Sequence, residues 1–228
     1  MVPQYEYKLD NPVWHALSEV HSDFSVGFSN AKFYNPDFCP FGGTTNSESI
    51  QADADAYSAL TDQFYIVGER PALPNNLKLR KLLVCDQMIL YGKADITVHE
   101  EIIKLNDNYG AELLELVNLV QPGYFRPKTS ALGNYYGIFK DGRLIAAAGE
   151  RMKMEQYTEV SAIVTHPDHT GKGYARQLIV HAVNNIFLQG KIPFLHVAED
   201  NIGAIHLYNK LGFVRRRKMN FWQIATCS

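Results

Sequence analysis

Cysteine is scarce in this chain of 228 residues, with only Cys39, Cys85 and Cys227 present. Their odd number and wide spacing exclude a disulfide framework and a CxxC metal pair, and fit a reducing compartment. Charge of one sign is lacking as well: 22 Lys and Arg stand against 24 Asp and Glu, for a net charge of −2. That balance excludes a general nucleic-acid binder, whose surface needs surplus cations to displace counterions. No stretch approaches the roughly 18 apolar residues of a membrane span. The first thirty residues carry Asp10, Glu19 and Asp23 and no apolar core of signal-peptide length. The expectation is a cytoplasmic protein with neither a nucleic acid nor a membrane as partner. The HExxH zinc pair is missing too, since "HEEI" at 99–102 lacks its second histidine, and no GxSxG elbow occurs. No metal and no serine-hydrolase chemistry are expected. Apolar residues, by contrast, make up 46% of the chain, enough to build a core without staples.

Punctuation is strongest in "GERPALPNNLKLRK" at 68–81, where prolines, asparagines and a glycine separate apolar runs. "LRKLLVCDQMILYG" then reads as a strand closing a first unit, and a boundary near residue 94 divides a smaller N-terminal α/β domain, 1–94, from a second domain, 95–228. In the first unit "WHALSEV" and "QADADAYSALTDQF" suggest helices and "FYIVGE" a strand, while "FGGTTNS" reads as a plain turn, no Gly-Lys-Ser/Thr following it. The second unit is clearer. Leu113, Leu116, Val117 and Val120 recur at helical spacing, and Asp141-Gly142 between two apolar runs signals a hairpin. Its order reads β-α-β-β-β-α-β-α-β, a mixed α/β fold with a partly antiparallel sheet flanked by helices.

In "THPDHTGKGYARQLIVHAV", residues 165–183, a polar turn free of acids after Asp168 runs into a helix whose apolar stripe is Ala175, Leu178, Ile179, Ala182, Val183 and Ile186. The first turn of a helix offers unbonded N–H groups and the positive end of its dipole, which suits an anion. Gly171 and Gly173 would let a ligand approach the main chain and form a nest of donors, and Lys172 adds charge. The alternative is a tight strand-to-helix turn with a solvated lysine. The spacing is neither a P-loop nor a dinucleotide fingerprint.

In this block Thr170-Gly171-Lys172-Gly173-Tyr174-Ala175 resembles the Gln/Arg-x-x-Gly-x-Gly/Ala signature of the GNAT superfamily of acyl-CoA-dependent N-acetyltransferases. Thr170 departs from the family's Gln or Arg. A second block, Asn201, Ala204, Tyr208, Gly212 and Phe213, is similar to that family's Asn-x-x-Ala-x-x-x-Tyr-x-x-x-Gly-Phe pattern, and the resemblance spans roughly residues 95–228. It implies a GNAT-like fold and acetyl-CoA as acyl-donor cosubstrate. The strand ending at Thr165 and the strand 193–198 would splay apart around the pantetheine arm, with Val164 and Thr165 beside it. The pyrophosphate would lie against residues 171–175, and Asn201 would face the cosubstrate.

Amine acylation needs a deprotonated amine, a donor to the developing oxyanion and an acid for the leaving thiolate. Tyr208 lies two helical turns after Asn201, and a phenol of pKa about 10 can protonate a thiolate whose conjugate acid lies near 8.5. Its alternative is a packed aromatic. Glu159 stands where the resemblance places a general base in the histone-acetylating branch; strand alternation sets it on the face of Ser161, Ile163 and Thr165, and its alternative is an exposed strand-start carboxylate. Glu150, Glu199 and Asp200 are other carboxylates to consider, and a backbone N–H near Val164 would serve the oxyanion. "RRRK" at 215–218 reads as a solvated strand edge. The expected activity is transfer of an acetyl group to a primary amine of a small molecule or peptide by direct attack in a ternary complex. Competing readings are a non-catalytic acyl-CoA sensor and a nucleotide-binding protein. Acceptor identity and oligomeric state are not written in the residues.

Overall fold

The computed structural model describes residues 5–93 and 97–227. The expected boundary near residue 94 lies outside them. In chain order the elements are α1 (Pro12–Ser18), β1 (Ser25–Gly27), β2 (Ala31–Tyr34), β3 (Phe41–Thr44), α2 (Gln51–Ser58), β4 (Gln63–Val67), β5 (Leu77–Ile89), β6 (Ile103–Leu105), α3 (Gly110–Val120), β7 (Tyr135–Lys140), β8 (Arg143–Lys153), β9 (Tyr157–Thr165), α4 (Tyr174–Leu188), β10 (Ile192–Ala198), α5 (Ile202–Lys210) and β11 (Val214–Thr226). From β6 onward the order is the one expected, and the class is mixed α/β.

The eleven strands of the described residues join one sheet in the order β1-β2-β3-β4-β11-β5-β10-β9-β8-β7-β6. β5, from before residue 94, lies between β10 and β11, from after it, and pairs antiparallel with both. Period-2 alternation sorts side chains to the two faces. Tyr136, Ile138, Ala146 and Ala148 pack with Leu178, Ile179, Ala182 and Val183 of α4, whereas Tyr135, Leu144 and Ala147 pack with Leu113, Leu116 and Val117 of α3. α4 and α3 therefore cover opposite faces. A helix of 15 residues is marginal alone; the buried stripe, worth roughly 1.5–3 kcal/mol for each large aliphatic side chain, holds α4 in place.

One reading from sequence is corrected and a second is completed. "FGGTTNS" is not all turn: Phe41–Thr44 form β3, paired with β2 and β4. The glycine is needed for contact, because a Cβ on Gly42 would meet the Phe33 ring at 2.2 Å. "RRRK" is a solvated stretch of strand, with Arg215, Arg217 and Lys218 exposed and β4 pairing with β11 only from Phe221 to Ala225, but its cations are paired. It lies on β11 against β5, and Arg216 reaches Glu6 (2.8 Å) and Asp10 (2.8 Å), Arg217 reaches Asp10 (2.7 Å), and Lys218 pairs with Glu199. For Arg216 and Arg217 the counter-charge comes from Glu6 and Asp10, more than 200 positions upstream, which local sequence cannot reveal. Among the described residues no helix is long and apolar enough to cross a membrane.

His21 is buried, bonded through Nδ1 to the Tyr34 hydroxyl (2.8 Å) and through Nε2 to the Leu132 carbonyl (2.9 Å). Burial pulls its pKa from 6.5 down to about 4, against the opposing pull of the Leu132 carbonyl. As pH falls below 6.5 the unfolded chain takes up a proton that the folded chain refuses, so stability drops. The urea midpoint is expected to fall between pH 6.5 and about 5, with a shallower fall in His21→Gln. Equal slopes in the two proteins would assign the loss to other groups.

Candidate active site

The parallel ladder between β9 and β10 joins Tyr157–Glu159 to Ile192–Phe194 and ends there. Beyond it β9 continues on β8, with Val164 opposite Ala147, and β10 continues on β5, with Ala198 opposite Cys85. The two strands thus diverge inside the sheet and leave facing edges around a cleft of about 350 Å³. Its walls include Val197, Ala204 and Tyr208 from the α4 and α5 face, and Phe41, Tyr124 and Phe221 from the other. The cleft passes through the sheet.

A β-bulge sits at its middle. Register shifts between Gly149 opposite Ser161 and Ala147 opposite Val164, and Ala162 adopts φ 50°. Such a conformation costs a non-glycine residue roughly 1–2 kcal/mol. The extra residue also reverses the alternation: Val160 packs on the α4 side, Ala162 and Val164 pack on the α3 side, and Ile163 returns to the α4 side. Hence Glu159 does not share a face with Ile163, contrary to expectation. A bulge leaves backbone polar groups outside the ladder, here beside the cleft.

At the α4 side, Gly171 (φ 76°) and Gly173 (φ 79°) both adopt the left-handed conformation, and a Cβ at either would have open space around it. Glycine is required there by backbone angle, not by crowding. Gly173 is the N-cap and no side chain caps the helix, so the first N–H groups of α4 stay unbonded by a cap. Thr170 turns its hydroxyl back to the Pro167 carbonyl (3.1 Å), Lys172 is exposed, and Tyr174 is buried in the core with Lys140 Nζ 5.8 Å from its ring centre. Thr165, half-buried, pairs with Ala146.

Of the residues nominated from sequence, Val164, Ala175, Asn201 and Tyr208 line the cleft; residues 170–173 form the turn into α4, and Tyr174 is the first residue of that helix. Asn201 caps α5, its Oδ1 accepting from Ala204 N (3.2 Å), which leaves the amide nitrogen to donate. Tyr208 is 7% exposed, burial raises its phenol above the usual range, and among the described residues its hydroxyl makes no hydrogen bond. It remains protonated at neutral pH.

Glu159 is neither exposed nor in the cleft wall. It is 1% exposed, takes Nε and Nη2 of Arg151 in a bidentate pair (2.8 Å each), and meets His196 Nδ1 at 2.8 Å. Burial by itself would raise its pKa; the Arg151 charge, the two Arg151 hydrogen bonds and His196 outweigh that and hold it at about 2. Glu150, Glu199 and Asp200 do not line the cleft either: Glu150 is fully buried against Lys153 (2.6 Å) and Asn134, and Glu199 pairs with Lys218. His196 Nε2 lies 3.1 Å from Gln87 Nε2, which also donates to the Leu9 carbonyl (2.8 Å). An amide nitrogen can only donate, so His196 Nε2 accepts and Nδ1 carries the proton toward Glu159. Sequence reasoning missed Arg151, His196, Gln87 and the aromatic wall, because strands far apart in the chain bring them together.

The chain matches the family model described as FR47-like protein over residues 135–222. It is similar to a solved GNAT-family structure from Novosphingobium aromaticivorans, with 31% identity and TM-score 0.88 over 96% of this chain and 99% of that one. A GCN5-related N-acetyltransferase from Kribbella flavida shares the fold, with TM-score 0.64 and 13% identity over 100% of this chain and 97% of that one. Spermidine N(1)-acetyltransferase of Vibrio cholerae is 46% identical over 54 residues, which is 23% of this chain and 31% of that protein.

Glu159→Gln would leave the Arg151 cation buried without its counter-charge, an effect of about 3–5 kcal/mol. Urea unfolding at pH 7 should show a loss of that size, and adding Arg151→Met should recover part of it. A loss below about 1 kcal/mol would mean that water already screens the pair.

Proposed function

The chain belongs to the GNAT family and is an acyltransferase, and on that premise we propose that it transfers an acetyl group from acetyl-CoA to the primary amine of a small molecule or peptide, by direct attack while both are bound. One observation carries this reading above the others. The opening between β9 and β10 runs without a break from the uncapped N-terminus of α4, past the Ala162 bulge, to the aromatic wall on the opposite face.

The residues fit an acyl-CoA. Its pyrophosphate suits the N–H groups of Gly171, Gly173, Tyr174 and Ala175, with Lys172 nearby and Thr170 closing the turn, and the open space at both glycines admits it. The pantetheine arm fits the bare β9 edge at Val164 and Thr165, with Asn201 opposite. When bound, the cosubstrate supplies a thioester carbonyl as electrophile. A backbone N–H at the bulge is the donor assigned to the developing oxyanion. Tyr208, protonated and facing the cleft, is assigned as general acid to the departing sulfur. Glu159, with a pKa of about 2, takes a positioning part: it fixes Arg151 and His196. No Asp or Glu among the described residues lines the cleft, so deprotonation of the amine is assigned to solvent. The segment 1–94, which supplies Phe41, Leu83 and Cys85 to the cleft, is assigned the choice of acceptor.

Calorimetric titration with acetyl-CoA tests the donor site: binding is expected in the wild type and its loss in Gly173→Glu, with circular dichroism confirming that the variant folds. Tyr208→Phe should lower kcat at least tenfold at unchanged acetyl-CoA affinity. Unchanged kcat would remove the acid role, and retained binding in Gly173→Glu would remove the cradle. With no enzymic base, log kcat/KM should climb with pH at a slope near one up to the acceptor's own pKa. A plateau well below that pKa would instead indicate a base on the protein.

A further inference from the structure

On that same reading of the cleft, we propose that its acceptor is a primary monoamine with an aromatic or branched apolar body and no second cation. The argument begins with what lines the acceptor end. Phe41, Tyr124 and Phe221 form a connected wall, with ring centres 6.3 Å apart for Phe41 and Tyr124 and 5.3 Å for Phe41 and Phe221. Leu83 adds an aliphatic surface, and the Cys85 thiol, pushed up to about 12 by burial, stays neutral. Such a surface rewards an apolar body in proportion to the area it covers.

The charge pattern decides against a polyamine. Among the described residues the lining contains no carboxylate, and its one permanent charge is the Arg151 cation. Glu159, which could have faced a second ammonium, has both oxygens engaged behind Arg151 and His196. Aromatic faces can hold cations, but the guanidinium already stands 4.6 Å from the centre of the Phe41 ring. A second ammonium entering here would lose its water, find no counter-charge and approach a like charge. Arg151 uses Nε and one Nη2 hydrogen on Glu159, so its remaining N–H groups can only donate and offer a second ammonium nothing to bond to.

Two probes of different charge test this: 2-phenylethylamine and spermidine, each at saturating acetyl-CoA. The kcat/KM for 2-phenylethylamine is expected to exceed that for spermidine at least tenfold. Calorimetry on the full chain preloaded with CoA should detect binding of 2-phenylethylamine and not of spermidine. Tyr124→Glu, which places a carboxylate in the half-buried part of the wall, should narrow the kinetic ratio at least threefold. A wild-type ratio below tenfold, or a ratio unmoved in a folded Tyr124→Glu, overturns the assignment. So does failure of both amines to bind or react in a protein that binds acetyl-CoA, an outcome that leaves the donor site standing. Absence of acetyl-CoA binding removes the donor site and this assignment together.

Discussion

A pair of parallel strands that stops pairing inside a sheet must be held open, because two bare edges a few ångströms apart would otherwise close into a ladder. In this protein the holding point is the Arg151–Glu159–His196 cluster. Glu159 is opposite Phe194 in the last rung joining β9 to β10. Its carboxylate grips Arg151 on β8 and His196 on β10, the first side chain beyond the rung on the same face as Phe194. Gln87 on β5 continues the chain of contacts to Arg216 on β11 (3.1 Å) and thereby to Glu6 (2.8 Å). Five strands and the N-terminal segment are tied at the fork by largely buried groups. A half-satisfied network of this kind would cost more than an apolar core, so the geometry of the opening is over-determined.

Much of the frame was legible in local sequence, and for reasons that are themselves local. Asp141 and Gly142 take φ 51° and 74°, the left-handed pair that a two-residue hairpin demands, and Asp-Gly is the dipeptide that tolerates it. The α4 stripe was readable because a 3.6-residue period needs no partner to be seen, and Gly171 and Gly173 because their backbone angles exclude most other residues. Tyr208 and Asn201 were found through a resemblance, and both line the cleft.

What escaped was non-local. Ala162 carries no mark of the bulge, since alanine does not favour a positive φ; the register that β8 imposes and the packing of α3 and α4 put it there. One unpaired residue then defeats any parity argument, which is why Glu159 was assigned to the face of Ile163. The carboxylate was also read as a base or an exposed strand start, when its surroundings make it a buried anchor. Arg151 in "GERM" and His196 in "FLHV" look like ordinary strand residues until β8, β9 and β10 lie side by side. The pairing of Arg216 and Arg217 escaped for the same reason, Glu6 and Asp10 lying at the other end of the chain.

The division of the chain into two segments takes on a different physical meaning in this light. β5 precedes residue 94, yet it is the strand on which β10 continues after leaving β9, and it is flanked on its other side by β11. Without it β10 would have no partner past Phe194, and the fork would lose one of its two arms. Phe41 on β3 and Phe221 on β11 meet in the aromatic wall of the cleft through the same continuity of the sheet. The N-terminal segment is therefore part of the wall and not an accessory to it. Among the described residues the face it contributes to the cleft is apolar and lacks carboxylates, while the opposite face presents N–H groups at the start of α4. The gap in the sheet thus has two chemically distinct mouths, one beside main-chain N–H groups and one lined by aromatic and aliphatic side chains around the Arg151 cation, and the strained turn at Ala162 lies between them.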